Sequence, residues 1–353
     1  MSEAPIAGAK PPMVGGRTRW YLEFIAAVVL YFLARTIARH GAEGLANEAW
    51  NPLVEQAMLL FLLVLGFGSL GFIFDRQKKP VSEQGLPLRK GWAGEAGVGV
   101  AVGWGAAVAC VLPLALIGGI AIVLSTDRAA WGWLAADTAF FAVAAMVEEV
   151  TFRGYAFQRF VGVLGPVGAS LAFAAFYGVF TALQPGSSRL STLVSVLLCL
   201  LLSMSYLRTR ALWVSWGLNF GWKASRALIF GLTVSGVSSH SSIVEGDPMG
   251  PFWMTGGGYG LDGSWLALVA LAVAFPVVYR LTRELDFRYN VPVFVPGGIP
   301  VDLDAAARKQ HEAAMGTQEP PAPSLVQILP VTQPPTARAP ENVPASEPEG
   351  RPE

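Results

Sequence analysis

Apolar runs of about 20 residues recur along this chain, the length a helix needs to cross a hydrocarbon core roughly 30 Å thick. They lie at 20–39, 54–74, 97–124, 133–157, 167–183, 190–206, 211–233 and 265–281. Such repetition is incompatible with an ordinary soluble domain. Hydrophobic residues make up 53% of the chain and charged residues 14%, against about 25% charged in globular proteins. The expected fold class is therefore an all-α polytopic membrane protein, a bundle of about eight transmembrane helices. A cytoplasmic segment over 1–18 is expected to precede a helical domain over 19–290. Beyond it, 291–353 is dominated by Pro, Glu, Ala, Gln and Thr in stretches such as PVTQPPTARAP and ENVPASEPEG. That composition buries too little apolar surface to offset the entropy of ordering, so a disordered tail is expected. Its first residues, VPVFVP, are apolar enough to lie against a membrane surface.

The net charge is zero, with 25 Lys and Arg against 25 Asp and Glu. The sum gives no reason to expect a nucleic-acid partner, and membrane lipid is the partner the composition implies. Position is more informative. With a cytoplasmic N-terminus, the inner loops hold Lys10, Arg17 and Arg19; Arg76, Lys78, Lys79, Arg89 and Lys90; Arg153 and Arg159; Arg208 and Arg210; and Arg280, Arg283 and Arg288. The outer loops hold Arg39, Arg128 and Arg189, and 234–263 contains no Lys or Arg. This bias places both termini in the cytoplasm of an inner or plasma membrane. Trp50, Trp131, Trp133, Trp253 and Trp265 gather at the outer ends of the runs, as in an interfacial aromatic belt. The run at 20–39 is of full spanning length and is expected to remain as the first helix. Cys110 and Cys199 fall inside apolar runs and suggest packing, not a disulfide or metal framework.

Ionisable residues inside a membrane are costly unless paired or hydrated, which makes them candidates for function. Arg35 and Glu55 sit near run ends, where snorkelling to the headgroups suffices. The fourth run differs, because FFAVAAMVEEVTFRGYAFQRF sets Glu148 and Glu149 side by side, with Arg153 close behind. Glu149 and Arg153 are four apart in the favourable order for an ion pair. Glu148 points about 100° away around the helix, and a carboxylate without a partner there suits a general base acting on water. In the seventh run Asn219, Lys223 and Arg226 recur at spacings of four and three, on one helix face. That stripe is expected to turn toward Glu148 and Glu149, with Lys223 touching one of them. At about 1.5 Å per residue, Asn219 lies nearly level with Glu148, and Lys223 is within reach of it.

These residues resemble the CPBP family (CAAX protease and bacteriocin-processing, also Abi), the intramembrane proteases that include CAAX prenyl endopeptidases. EEVTFRG at 148–154 looks like the family's first signature, two Glu followed by Arg. FYGVFTALQPG resembles the second, and YLRTRALWVSWGLNFGWK the segment carrying the third. The later VSGV and MTGGGYGLDGSW also look like a bacterial branch, so the resemblance covers 133–265. It implies that Glu148 activates water, supported by Glu149 and Arg153, on a membrane-embedded or prenylated peptide. The chain departs from the pattern at three places. Thr181 stands where the second signature carries His, and Asn219 and Lys223 stand where the third carries His and Asn. His40, His240 and His311 all fall outside these motifs; His40 and His240 are loop residues on the outer side.

A catalytic zinc needs three or four His, Cys or carboxylate ligands, and an ammonium beside the site repels a divalent ion. No metal and no cofactor are therefore expected. Two readings follow. In one, the chain is an intramembrane endopeptidase working without metal: Glu148 activates water, and Asn219 and Lys223 stabilise the oxyanion. In the other it is a catalytically silent scaffold or binding protein in which Lys223 neutralises the acidic site, a reading favoured by the loss of both histidines. A transporter finds less support, because no inverted halves with broken helices surround a central site.

Overall fold

The computed structural model describes residues 16–125 and 127–290. The expected disordered tail, the VPVFVP stretch, His311 and most of the N-terminal segment lie outside the described residues. Helices dominate: α1 (Gly16–Leu45), α2 (Asn51–Asp75), α3 (Pro80–Glu83), α4 (Trp92–Leu116), α5 (Arg128–Arg153), α6 (Tyr155–Ala182), α7 (Arg189–Thr209), α8 (Trp213–Ala224), α9 (Phe252–Thr255), α10 (Trp265–Leu281) and α11 (Arg283–Asn290). Their starts carry local signals. Asp127 accepts from the Ala129 N–H ahead of α5, Ser188 and Ser191 form a reciprocal capping box on α7, and Ser264 caps α10.

The all-α polytopic membrane class holds, but the eight runs do not map one to one onto eight full-length helices. Among the described residues, five helical segments are long and apolar enough to cross a membrane. The longest, 128–182, is broken at Gly154 and bent at Gly165, where φ is 74°. A Cβ on Gly154 would collide with the Val150 carbonyl, so only glycine allows α6 to leave α5 there. The run at 97–124 is not one helix. It ends as α4 at Leu116, and Ile120–Leu124 forms strand β1, antiparallel to β2 (Val244–Pro248) with Ile120 opposite Pro248. Apolarity alone does not distinguish a helix from a strand, and the Gly118–Gly119 break precedes a β-branched stretch. The run at 211–233 is shorter than expected too. Twelve residues of α8 pass into one π-helical turn, Ser225–Ile229, and α10 spans 17 residues.

Among the described residues two large apolar cores result, with two smaller clusters beside them. One joins α1, α2, α5 and α6 around Leu63, Phe67, Tyr155 and Phe157. The other joins α4, α7, α8 and α10 around Leu114, Leu201 and Trp222. Of the expected belt, Trp50 packs against Trp133 at 5.4 Å, while Trp131, Trp253 and Trp265 are exposed. Cys110 and Cys199 are free and buried.

Candidate functional site

The paired acids sit at the end of α5, and the helix holds them as its spacing predicts. Arg153 Nη1 donates to Glu149 Oε1 at 3.2 Å, and both side chains are almost wholly buried. The guanidinium also donates through Nη2 to the Cys199 carbonyl at 3.1 Å, which ties α5 to α7. A buried ion pair offsets its desolvation only with such additional bonds.

The polar stripe of α8 reaches these acids because α8 lies unusually close to α4. Gly99 and Gly103 of α4 face Gly217 and Gly221 of α8. A Cβ on any of the four would run into backbone atoms of the opposite helix: Val214 and Leu218 for Gly99, Leu218 and Trp222 for Gly103, Ala96 and Val100 for Gly217, Val100 for Gly221. Small residues four apart on both helices let the backbones touch, a recurrent packing in membranes. With that face of α8 pressed on α4, the opposite face meets α5. There Trp216 Nε1 donates to the Ala142 carbonyl at 2.9 Å. The motif was legible as GVAVG and GLNFG, although the reading of the charges passed over it.

Three donors close on Glu148. Lys223 Nζ pairs with Oε1. Asn219 Nδ2 donates to Oε2 at 3.0 Å and lies 3.3 Å from Glu149 Oε1, so one amide bridges both acids. The third donor is Tyr177 of α6, whose hydroxyl lies 3.3 Å from Oε2. Tyr177 had not been singled out in the sequence. Its signal was the spacing to Thr181, one turn further on. Thr181 itself is buried and donates to the Tyr177 carbonyl at 3.0 Å. It therefore lines the site without a hydrogen bond to either acid, one turn beyond the position that meets Glu148.

A cavity of about 790 Å³ adjoins this cluster, with Glu148, Tyr177, Thr181 and Lys223 in its wall and a mostly aromatic and aliphatic lining from α1, α2, α5 and α6. Val28 and Phe32 of α1 and Phe176 and Phe180 of α6 line it and are themselves exposed, which puts its mouth on the apolar flank of the bundle. Arg35 and Glu55 also border it, and Arg35 donates to the Tyr31 hydroxyl at 3.0 Å. The Glu148 side chain keeps 28% of its surface exposed, at the wall of the cavity, although both carboxylate oxygens are engaged.

Other polar groups fall differently from their expected places. Arg226 does not meet Glu148 or Glu149; it pairs with Asp262, Nη1 to Oδ1 at 2.7 Å, an acid from the segment before α10. His40 and His240 do not share partners, and His40 belongs to α1, not to a loop. His40 lies 3.3 Å from Glu43, whereas His240 Nδ1 is 3.0 Å from the buried Asp137 and its ring stacks on Trp133. His240, though its ring is partly exposed, thus tethers its loop to α5 through Asp137. Among the described residues no three His, Cys, Asp or Glu side chains gather where they would hold a metal ion. With Lys223 against Glu148, the donor set does not fit a divalent cation.

No curated protein and no solved structure matches the chain. Residues 129–225 match the family model described as type II CAAX prenyl endopeptidase Rce1-like. That stretch runs from α5 through α8 and contains Glu148, Glu149, Arg153, Tyr177, Thr181, Asn219 and Lys223. The resemblance read from EEVTFRG, FYGVFTALQPG and YLRTRALWVSWGLNFGWK is therefore matched over residues 129–225, a similarity consistent with a CPBP-type protease segment, while the later VSGV and MTGGGYGLDGSW stretches lie outside the match.

Proposed function

We propose that this protein binds the lipidated end of a membrane peptide in its cavity and does not cleave it. One observation carries the reading: Lys223, Asn219 and Tyr177 all close on Glu148, the group that would have to accept a proton from water. A carboxylate held by an ammonium and two further donors is a poor general base. The cavity next to it has the volume and the apolar lining of a small-ligand site, and its mouth on the apolar flank suits an isoprenoid or acyl chain entering from lipid.

A second reading rests on the 28% exposure of the Glu148 side chain toward the cavity. If Lys223 swings aside, Glu148 meets water, and Asn219 and Lys223 become oxyanion donors in a metal-free hydrolysis. Full-length protein in detergent, given quenched farnesylated peptides, separates the two. Saturable binding without turnover is expected. Turnover that disappears in Glu148→Gln and ignores chelators would replace the silent reading with the hydrolase, and absence of binding would sink both.

We also place the Lys- and Arg-rich loops, and both termini, on the cytoplasmic side of an inner or plasma membrane, following their charge bias. Cys110 and Cys199 are buried, so single cysteines introduced as Lys79→Cys and Glu245→Cys report alone. An impermeant thiol reagent added to intact cells should label the second and spare the first; the reverse would invert the topology.

A further inference from the structure

Beyond the Rce1-like stretch, the cavity wall carries a second polar group that neither reading uses. Arg226 lies three residues beyond Lys223, in the π-helical turn that follows α8, and is fully buried. Its Nε donates to the Trp222 carbonyl at 2.9 Å, its Nη1 lies 2.7 Å from Asp262 Oδ1, and its plane covers the Trp222 ring at 4.2 Å. Asp262 is already engaged by Trp222 Nε1 at 3.2 Å and the Ser235 hydroxyl at 3.4 Å. Neither Arg226 Nη1 nor Nη2 has a hydrogen-bond partner among the described residues, so Nη1 meets Asp262 as an ion pair alone. Arg226, Ser235, Asp262 and Lys223 all belong to the wall of the cavity that holds Glu148. A buried donor left without an acceptor is costly, and natural proteins rarely retain one without a reason.

We propose that Arg226 anchors the free carboxylate of an amphipathic ligand whose apolar chain fills the cavity. A guanidinium held by one hydrogen bond through Nε and paired with Asp262 keeps N–H groups on Nη1 and Nη2 that a planar carboxylate can accept from. Lys223, whose ammonium has more donors than its bond to Glu148 uses, stands one turn away as the second cation. The inference deepens the proposed function by naming what holds the ligand's polar end. The same chemistry is offered by the C-terminus of a peptide and by a long-chain fatty acid.

The test measures binding, not turnover, on full-length protein in detergent. The probes are a fluorescent farnesylated tetrapeptide acid, the same peptide as its C-terminal carboxamide, and oleate as competitor. The acid is expected to bind about ten-fold or more tightly than the amide, the effect of one charge-assisted buried bond. Arg226→Gln should reduce that preference to about two-fold or less, and so should Arg226→Lys, which keeps a cation against Asp262 but loses the fork. Where Arg226→Gln does not yield monodisperse protein, Arg226→Lys carries the test. Equal binding of acid and amide by the native protein, or a preference that survives Arg226→Lys, overturns the inference while leaving the peptide-binding reading intact. Arg226-dependent binding of oleate with neither peptide bound keeps the carboxylate anchor and overturns the peptide reading instead.

Discussion

Among the charge clusters that join helices in the described residues, two differ in what surrounds them. At one end of the bundle, Glu23 of α1 accepts from Arg19 Nε at 2.6 Å and from the Tyr155 hydroxyl at 3.2 Å. Asp75 of α2 pairs with Arg159 at 2.6 Å and Arg19 at 3.2 Å. Each acid there is held between cations from two helices, and none of the four charged residues borders the large cavity. In the other cluster, Glu149 and Arg153 pair within α5 and are more completely buried, but Glu148 and Lys223 face the cavity. Charge in a membrane domain is therefore not itself a mark of function. What separates the clusters is that one leaves a carboxylate and an ammonium at the wall of a space large enough for a ligand.

The comparison is most exposed to failure at its sealed pairs. Arg153→Met leaves Glu149 buried without its cation and should cost about 3–5 kcal/mol, read as a collapse of the thermal midpoint in detergent; a shift within experimental error would show that this pair is no structural anchor. Gly217→Leu forces side-chain atoms into the α4 backbone at Ala96 and Val100 and should cost about 1–3 kcal/mol or more. It should also weaken peptide binding, since α8 carries Asn219 and Lys223; unaltered binding would detach the helix crossing from the site. Arg159→Met acts on a partly exposed pair, 15% and 20% for Arg159 and Asp75, so about 1–2 kcal/mol is expected after allowing for solvent. Ligand binding should be unchanged, and a loss of binding would erase the distinction between the two clusters. Lys223→Met should move stability least, by about 1 kcal/mol or less, because Glu148 keeps Asn219, Tyr177 and its exposure. If that variant unfolds like Arg153→Met, the cavity-facing pair is as structural as the sealed ones.

Much of the site was legible because helical spacing converts sequence into direction. The interval of four between Glu149 and Arg153 fixes their contact within one helix, and depth counting brought Lys223 to Glu148 across two. Tyr177 and Asp262 were not legible by that means. Their roles depend on where α6 begins after its bend at Gly165 and on how a loop returns over the bundle before α10. Tyr177, one turn before Thr181, meets Glu148 for the same reason, and Arg226 pairs with Asp262, which that returning loop supplies.

What the sequence determined by itself was the medium and the secondary structure suited to it. Long apolar runs demand lipid, and lipid demands that backbone groups be bonded within helices. It also determined which charges had to find partners, since unpaired ones are too costly there. The tertiary structure decided which partners they found, and that one carboxylate would keep an open side. Those outcomes depend on the approach of α8 to α4 and on the space left between two cores, distances that emerge only when all the helices are packed together.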